Sequence, residues 1–302
     1  MPLGLRNKTI LYSCLNWGNG HVSRSIGVIR ELLKENNQVL FAGDENQIAI
    51  MKAYFPEMEC LELTPYPFSF TTGGNFATDL YKSRTPLMKH VKVEFEWVQE
   101  QLEKNPAIDT IISDHRYGFY SQKVPSIFIT HQVKLATKWY QFPAQYVHKM
   151  LYYPFSEIWI MDEEQERMAG KLSEAPKGKK YQYIGHFSRF EKGSSAEKTI
   201  ALGVVNGPKP YSEELFKALE EGTETDQIIV PEEFYYKSLD KRLVNAKDWK
   251  SVDSYFEQAH TIHSYCGYST LMDMKILGCR GVLKPTPGQM EQEYLFKLHF
   301  QK

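Results

Sequence analysis

Two glycine-rich turns carry the residue types from which a reaction could be built. Gly18-Asn19-Gly20-His21 follows a short apolar run near the start, and Cys266-Gly267-Tyr268-Ser269-Thr270 follows another near the end. Each precedes a helix-like pattern. A strand, a glycine turn and a helix leave backbone N–H groups at the positive end of a helix dipole, which suits an anion. With Asp273, Glu291 and Gln292 after the second turn, the pair reads as two halves closing over one phosphorylated ligand. His21 stands where the first helix begins, so the dipole disfavours its charged form. A neutral imidazole at the mouth of a cleft is a good general base. A structural helix-terminal histidine is the competing reading of the position alone.

In the second turn Gly267 permits tight geometry, while Ser269 and Thr270 can cap the following helix or donate hydroxyls to a phosphate. Asp273 lies four residues after Ser269, on the same helix face, where an acid could accept from both ribose hydroxyls. Leu271, Met274 and Leu277 read as core, and Gly278 as the helix end. The run Gly281–Lys284 followed by Pro285-Thr286-Pro287-Gly288 places a loop at the carboxyl end of a strand, where α/β ligands bind. Glu291-Gln292-Glu293 then offers acids and an amide for sugar hydroxyls; alone, the triplet is equally a solvated face.

Other readings compete. Gly18 and Gly20 fit two positions of the dinucleotide pattern G-x-G-x-x-G, with Ser23 in the third, and Asp44 ends the second strand where a ribose-binding acid could lie. His260-x-x-His263 on a strand points to opposite faces, which disfavours a metal pair. The segment 131–155 mixes Lys134, Lys138 and Lys149 with Trp139, Tyr140, Tyr146, Tyr152 and Tyr153. That mixture suits a membrane surface or a lipid-linked acceptor, or else a partly buried structural segment.

These residues need a scaffold. Thr9–Cys14 reads as a buried strand, Val22, Ile26, Ile29 and Leu33 as a helix stripe ended by Asn36-Asn37, and Gln38–Ala42 as the next strand. This is a βαβ start and predicts a parallel sheet. Further strands are predicted at 110–113, 126–130, 157–161 and 181–184. The stretch 64–78, with Pro65, Pro67, Gly73 and Gly74, is a loop, read first as an ordinary surface loop and otherwise as a mobile lid or acceptor loop. A polar linker at 191–195 separates a second series: strands at 201–205, 227–230, 261–264 and 281–284, with the turn Asn206-Gly207-Pro208 and a helix from Ser212. The expected domains are 1–187 and 188–288, with a helix at 289–302 near their interface.

Bulk properties narrow the class. The 302 residues are 42% hydrophobic and 24% charged with a net charge of −1, which fits a globular protein and argues against nucleic acid as a partner. Four scattered cysteines form no Cys-x-x-Cys pair, so neither a zinc ribbon nor a disulfide framework is indicated and a cytoplasmic setting is expected. Neither a signal-peptide core nor a run of about 20 apolar residues is present.

Together, three stretches resemble glycosyltransferases of the GT-B fold, and most nearly the MurG-like branch (family 28) of N-acetylglucosaminyltransferases. They are Gly18–Arg24, Ser113-Asp114-His115-Arg116-Tyr117-Gly118, and Gly267–Asp273 continuing through Pro285–Glu293. The resemblance implies two Rossmann-like domains with parallel sheets facing across a cleft. The acceptor would bind the first domain and the nucleotide sugar the second. It implies His21 as base or acceptor-side contact, with Asp114 as the second candidate base. Gly20, Gly207, Gly267, Ser269 and Thr270 would line the donor, with Arg189 near the diphosphate, Asp273 at the ribose, and Glu291 and Gln292 at the sugar. Two departures stand out: His263–Gly267 lacks an arginine usual in relatives, and Asn206-Gly207-Pro208 replaces a richer glycine loop. No Asp-x-Asp motif occurs, so metal-independent, inverting transfer without a cofactor is expected, to a glycan or lipid-linked acceptor, at or near the inner face of a membrane. A sugar-nucleotide epimerase or hydrolase and a non-catalytic nucleotide-sugar binder are the rival readings.

Overall fold

A computed structural model of the chain describes residues 3–68, 82–136, 142–178, 180–193 and 196–301. The chain divides into two compact units, one holding the described residues up to Phe187 and the other those from Ser188 onward.

The first unit is built on a sheet of seven parallel strands: β1 (Thr9–Cys14), β2 (Gln38–Gly43), β3 (Glu59–Glu62), β4 (Thr110–Asp114), β5 (Ser126–Thr130), β6 (Glu157–Ile160) and β7 (Tyr181–Tyr183). Their spatial order is β3-β2-β1-β4-β5-β6-β7. Every residue of β4 and β5 is buried, as expected of parallel strands covered on both faces, and this is why they read as unbroken apolar runs. Helix α1 (Gly20–Lys34) buries Val22, Ile26, Ile29 and Leu32. Leu33, expected in that stripe, is exposed, because Leu32 takes the inward position. The chain turns at Asn36 in the left-handed region. The Asn37 side chain ties the turn down by donating to the carbonyl of Leu32 and accepting from the Lys8 amide, an αL helix end of the usual kind.

Helix α2 (Glu45–Tyr54) begins with a capping box. The carboxylate of Asp44 accepts from the Gln47 amide at 2.9 Å while Gln47 Oε1 accepts from the Asp44 amide at 3.2 Å. Asp44, considered above as a ribose-binding acid, is therefore a helix cap. Helix α3 (Arg84–Lys104) was not expected. Its inward stripe is His90, Glu94, Val98 and Leu102, half of it polar. Helix α4 (Phe142–Tyr152) precedes β6. The tip of the 64–78 loop lies outside the described residues, as do Lys138, Trp139 and Tyr140 of the basic-aromatic segment and Ser194-Ser195 of the linker.

The second unit has a five-stranded parallel sheet: β8 (Ile200–Val204), β9 (Gln227–Val230), β10 (Leu243–Asn245), β11 (Ala259–Tyr265) and β12 (Arg280–Lys284), in the order β10-β9-β8-β11-β12. Its helices include α5 (Tyr211–Glu221), α6 (Glu232–Tyr235), α7 (Asp253–Gln258), α8 (Tyr268–Leu277) and α9 (Met290–Phe300). Val205, Leu215, Phe216, Leu219, Ile228, Val230 and Phe234 form its core on one face of the sheet. Helix α8 ends at Gly278 with φ +67. Among the described residues no helix is long and apolar enough to cross a membrane.

Candidate functional site

Both sheets have a point where the strand order reverses, between β1 and β4 in the first unit and between β8 and β11 in the second. Connections leave such a point in opposite directions, which opens a crevice at the carboxyl ends of the two strands. The predicted residues of the first unit gather there. Cys14 of β1 is level with Asp114 of β4, and the amide of Leu15 donates to the Asp114 carbonyl at 2.8 Å. The chain after β1 then turns into α1, whose second residue is His21.

His21 and Asp114 meet, with Nδ1 and Oδ1 3.1 Å apart. Arg24, one turn along α1 from His21 and 2% exposed, grips the same carboxylate. Its Nε donates to Oδ2 at 2.7 Å, and its Nη2 donates to Oδ1. The guanidinium also places Nη1 2.8 Å from Nδ1 of His131 and Nη2 2.8 Å from Nδ1 of His21. Burial alone would raise the pKa of Asp114, but Arg24 and then His21 outweigh it and hold the carboxyl well below its usual range. His21 is lowered, first by burial and then by the Arg24 charge, against the pull of Asp114. The direction agrees with the sequence reading; the causes are burial and a guanidinium rather than a helix dipole.

Three more histidines surround this pair. His115 follows β4 with φ +63, a left-handed conformation uncommon outside glycine and enriched at functional turns. Its ring centroid is 5.4 Å from that of His21 and 6.0 Å from that of His131, and its Nε2 lies 2.6 Å from Thr130 Oγ1. Burial holds it well below the usual histidine range. His148 donates from Nε2 to the Gln132 carbonyl at 2.9 Å, so its Nδ1 accepts from the Tyr117 hydroxyl at 2.8 Å. Its pKa falls to about 4 through burial. The turn that carries His115 is braced from below. Arg116 and Glu94, both buried, form an ion pair. Glu94 also accepts from Tyr66 Oη at 2.6 Å and the Gly118 amide at 3.0 Å. A side chain at Gly118 would meet the Val91 carbonyl at 2.2 Å. Arg116 to Gly118 are thus supports for Asp114 and His115.

In the second unit the turn after β8 and the turn after β11 share the crevice. Asn206 pairs with the end of β11, accepting from the Tyr265 amide at 2.9 Å. Gly207 has φ +90, and a Cβ there would lie 3.1 Å from the Tyr265 ring, so the position requires glycine. Gly267 caps α8 with extended backbone, which makes Ser269 and Thr270 the second and third residues of that helix, both partly exposed. The buried Thr286 hydroxyl beside Gly207 has no hydrogen-bond partner among the described residues.

Other predicted donor contacts face inward. Arg189 is 7% exposed and donates from Nε to Asp253 at 2.8 Å. Its guanidinium lies 4.4 to 5.0 Å from the ring centres of Phe190, Phe256 and Trp249. Asp273, also 7% exposed, accepts from Ser188 Oγ at 2.5 Å and lies 3.9 Å from Arg189 Nη1. Burial pushes its carboxyl up to about 6, with Arg189 and Ser188 opposing. Both residues brace the start of the unit against α7 and α8. Gln292 is engaged at both ends, accepting from the Thr286 amide at 2.9 Å and donating to Gln289 at 2.7 Å. Glu291 is half-buried, and its charge reaches Cys266 beside the β11 turn. His260 and His263 lie on β11, the first exposed and the second partly buried.

Sequence reasoning missed Arg24, His115 and His131. Arg24 and His115 lay inside stretches read for His21 and Asp114, and an arginine three residues after a helix-start histidine was the available signal. His131 carried none, because only the register of β5 against β4 brings it near.

Two doubly wound parallel sheets with these switch points define the GT-B glycosyltransferase fold. Solved structures of similar fold include several glycosyltransferases. The glycotransferase of kitacinnamycin matches with a TM-score of 0.61 at 12% identity, covering 96% of this chain and 84% of its own. The spinosyn rhamnosyltransferase SpnG complexed with thymidine diphosphate matches with the same values. Phytolacca americana UGT2 complexed with UDP-2-fluoro-glucose and pterostilbene matches with a TM-score of 0.61 at 11% identity, covering 96% of this chain and 83% of its own. At this identity the likeness is one of fold. No family model matches the chain, and no curated protein matches it in sequence.

Proposed function

We propose that this chain is a glycosyltransferase of the MurG-like branch. It would move a hexose or N-acetylhexosamine from a nucleoside diphosphate sugar, UDP-linked, to a hydroxyl acceptor in cell-surface glycan or glycolipid synthesis. The observation that carries the reading is the meeting of His21 and Asp114 at the switch point of the first unit. In the working arrangement Nδ1–H of His21 donates to Asp114, and Nε2 takes the proton of the acceptor hydroxyl. The acceptor oxygen bonds to the anomeric carbon as the bond from that carbon to the diphosphate breaks, and the sugar inverts. Activation by a positioned base contributes about 10²- to 10⁴-fold.

The leaving diphosphate needs a positive field. The second switch point supplies one in the amino end of the ten-residue helix α8, with Gly207, Gly267, Ser269 and Thr270 around it. Glu291 and Gln292, at the start of α9, would meet the sugar hydroxyls, with Gln292 also bonded to the Thr286 amide; Arg189 near the diphosphate and Asp273 at the ribose stay part of the proposal. The neighbours with thymidine diphosphate and a UDP-sugar analogue support a nucleotide-sugar donor. Transfer without metal is part of the proposal. So is a peripheral contact with the inner face of a membrane: α4 and the residue after it expose Tyr146, Val147, Met150 and Tyr153 beside Lys149, an apolar and basic face suited to an anionic lipid surface.

Calorimetric titration with UDP, TDP, GDP, UDP-N-acetylglucosamine and NADH tests the reading. Magnesium-independent binding of a nucleoside diphosphate or its sugar is the expected result. Binding of NADH alone would overturn it, and consumption of donor with no acceptor present would convert it to a hydrolase.

A further inference from the structure

Guanidinium nitrogens donate hydrogen bonds and never accept them. Arg24 Nη2 lies 2.8 Å from His21 Nδ1, and Arg24 Nη1 lies 2.8 Å from His131 Nδ1. Each contact is a hydrogen bond only if that imidazole nitrogen is bare. Asp114 Oδ1 is farther from His21 Nδ1, at 3.1 Å, and is itself already bonded to Nη2. Two donors cannot face each other at 2.8 Å, so the shorter contact assigns the single proton of a neutral His21 to Nε2 and leaves the longer, 3.1 Å approach to Asp114 Oδ1 without a hydrogen. Nε2 is the nitrogen the proposed reaction needs bare.

We propose that Arg24 is a positioning residue that keeps His21 in the Nε2–H tautomer at rest, so that the base is armed only when Nη2 lets go of Nδ1 and Nδ1–H turns to Asp114. The inference rests on the reading of His21 as base. The movement it requires is small. The bond from Nε to Asp114 Oδ2 can stay in place while the far end of the guanidinium gives up the imidazole. Arg24 is buried and bonded to three other side chains, so its resting pose is over-determined rather than one of many rotamers.

The groups that face His21 are Arg24 from α1, Asp114 from β4, His115 from the turn after β4, and His131 after β5. With Arg24 shortened to a lysine, one charge remains to balance Asp114, but a single ammonium cannot hold the carboxylate and the imidazole together. Nδ1 of His21 then has only Asp114 to bond, and the tautomer reverses. His21 also loses the guanidinium donor that occupied Nδ1, which frees that nitrogen to take a proton and makes the ring easier to protonate.

The test is a nitrogen-15 long-range correlation spectrum of the imidazoles in the full-length protein, without ligand, above pH 7. The His21 signals are assigned by their loss in His21→Gln. Wild-type protein is expected to show Nε2 protonated and Nδ1 bare. Arg24→Lys is expected to reverse that assignment and to move the His21 titration midpoint upward. Nδ1–H in wild-type protein would overturn the proposal, as would an unchanged tautomer and midpoint in a folded Arg24→Lys protein. If Arg24→Lys does not fold, the wild-type tautomer decides alone. The spectrum needs no substrate, so its outcome is independent of the transferase reading, which fails separately if His21→Ala retains full turnover.

Discussion

Each unit buries an aspartate beside an arginine, and the two carboxyls are displaced in opposite directions. Asp114 takes two bonds from Arg24 and a contact from His21, and its carboxyl is held well below the usual range. Asp273 sits 3.9 Å from Arg189, whose Nε is bonded to Asp253, and burial pushes its carboxyl up to about 6. Burial opposes charge in both places. What differs is that Arg24 bonds its carboxylate in bidentate fashion, whereas Arg189 gives its short bond to Asp253 and stays 3.9 Å from Asp273; paired, short contacts are the strong ones. The first arrangement keeps a full negative charge ready beside a histidine. The second yields a carboxyl that takes up a proton just below neutral pH and braces a helix. Proton chemistry is therefore expected at the first switch point and ligand support at the second.

The largest effect should come from His21→Ala, with turnover of a nucleotide sugar falling about 10²- to 10⁴-fold while calorimetric affinity for the nucleoside diphosphate is kept. Stability separates the two aspartates next. Asp114→Ala strands the buried Arg24 charge and should cost about 3–5 kcal/mol in denaturant unfolding. Asp273→Asn removes a charge that burial already penalises and keeps the oxygen that accepts from Ser188, so near pH 7 it should raise stability, by up to about 3 kcal/mol. Comparable losses in both variants would mean that the two carboxyls are held alike.

The pH dependence sharpens it. Asp273 moves from an ordinary 3.8 to about 6 on folding, so between those values the native protein binds more protons than the unfolded one and stability falls as pH rises. At about 1.4 kcal/mol per pH unit the whole effect is about 3 kcal/mol. It should appear as the difference between wild-type and Asp273→Asn unfolding curves across pH 4 to 6. Asp114 and His21 act with the opposite sign. Both are lowered on folding, so their contribution is present above the unfolded values and is lost as pH falls, from below about 6.5 for the histidine. The smallest effect is local. Gly207→Ala places an L-residue at φ +90 against Tyr265 and should cost about 1–2 kcal/mol together with donor affinity.

The sequence made the strands legible because parallel strands buried on both faces read as continuous apolar runs. β1, β5 and β9 fall where expected. Helix α3 did not read as an element, because the inward stripe that should mark it contains His90 and Glu94, tolerable only through Arg116 and Tyr66 from distant segments. β3 and β10 were missed for a different reason: at four and three residues they are too short for a period to show. His21 and Asp114 could be named from their turns, but their contact depends on the register of β1 against β4, and the clamp by Arg24 depends on it too. Arg189, Asp273 and Gln292 were read as ligand contacts because residue type says nothing about burial. Their chemistry is right for a ligand, and the fold gives them partners of its own.

The most direct test of the account is release of nucleoside diphosphate from UDP-, TDP- and GDP-linked sugars, offered with a mixture of glycan and lipid hydroxyl acceptors, by wild-type protein and by His21→Ala. The account predicts acceptor-dependent release by wild-type protein from a UDP-linked donor, and its near loss in the variant. Equal release by both, or none by wild-type protein from any donor that it binds, would contradict it.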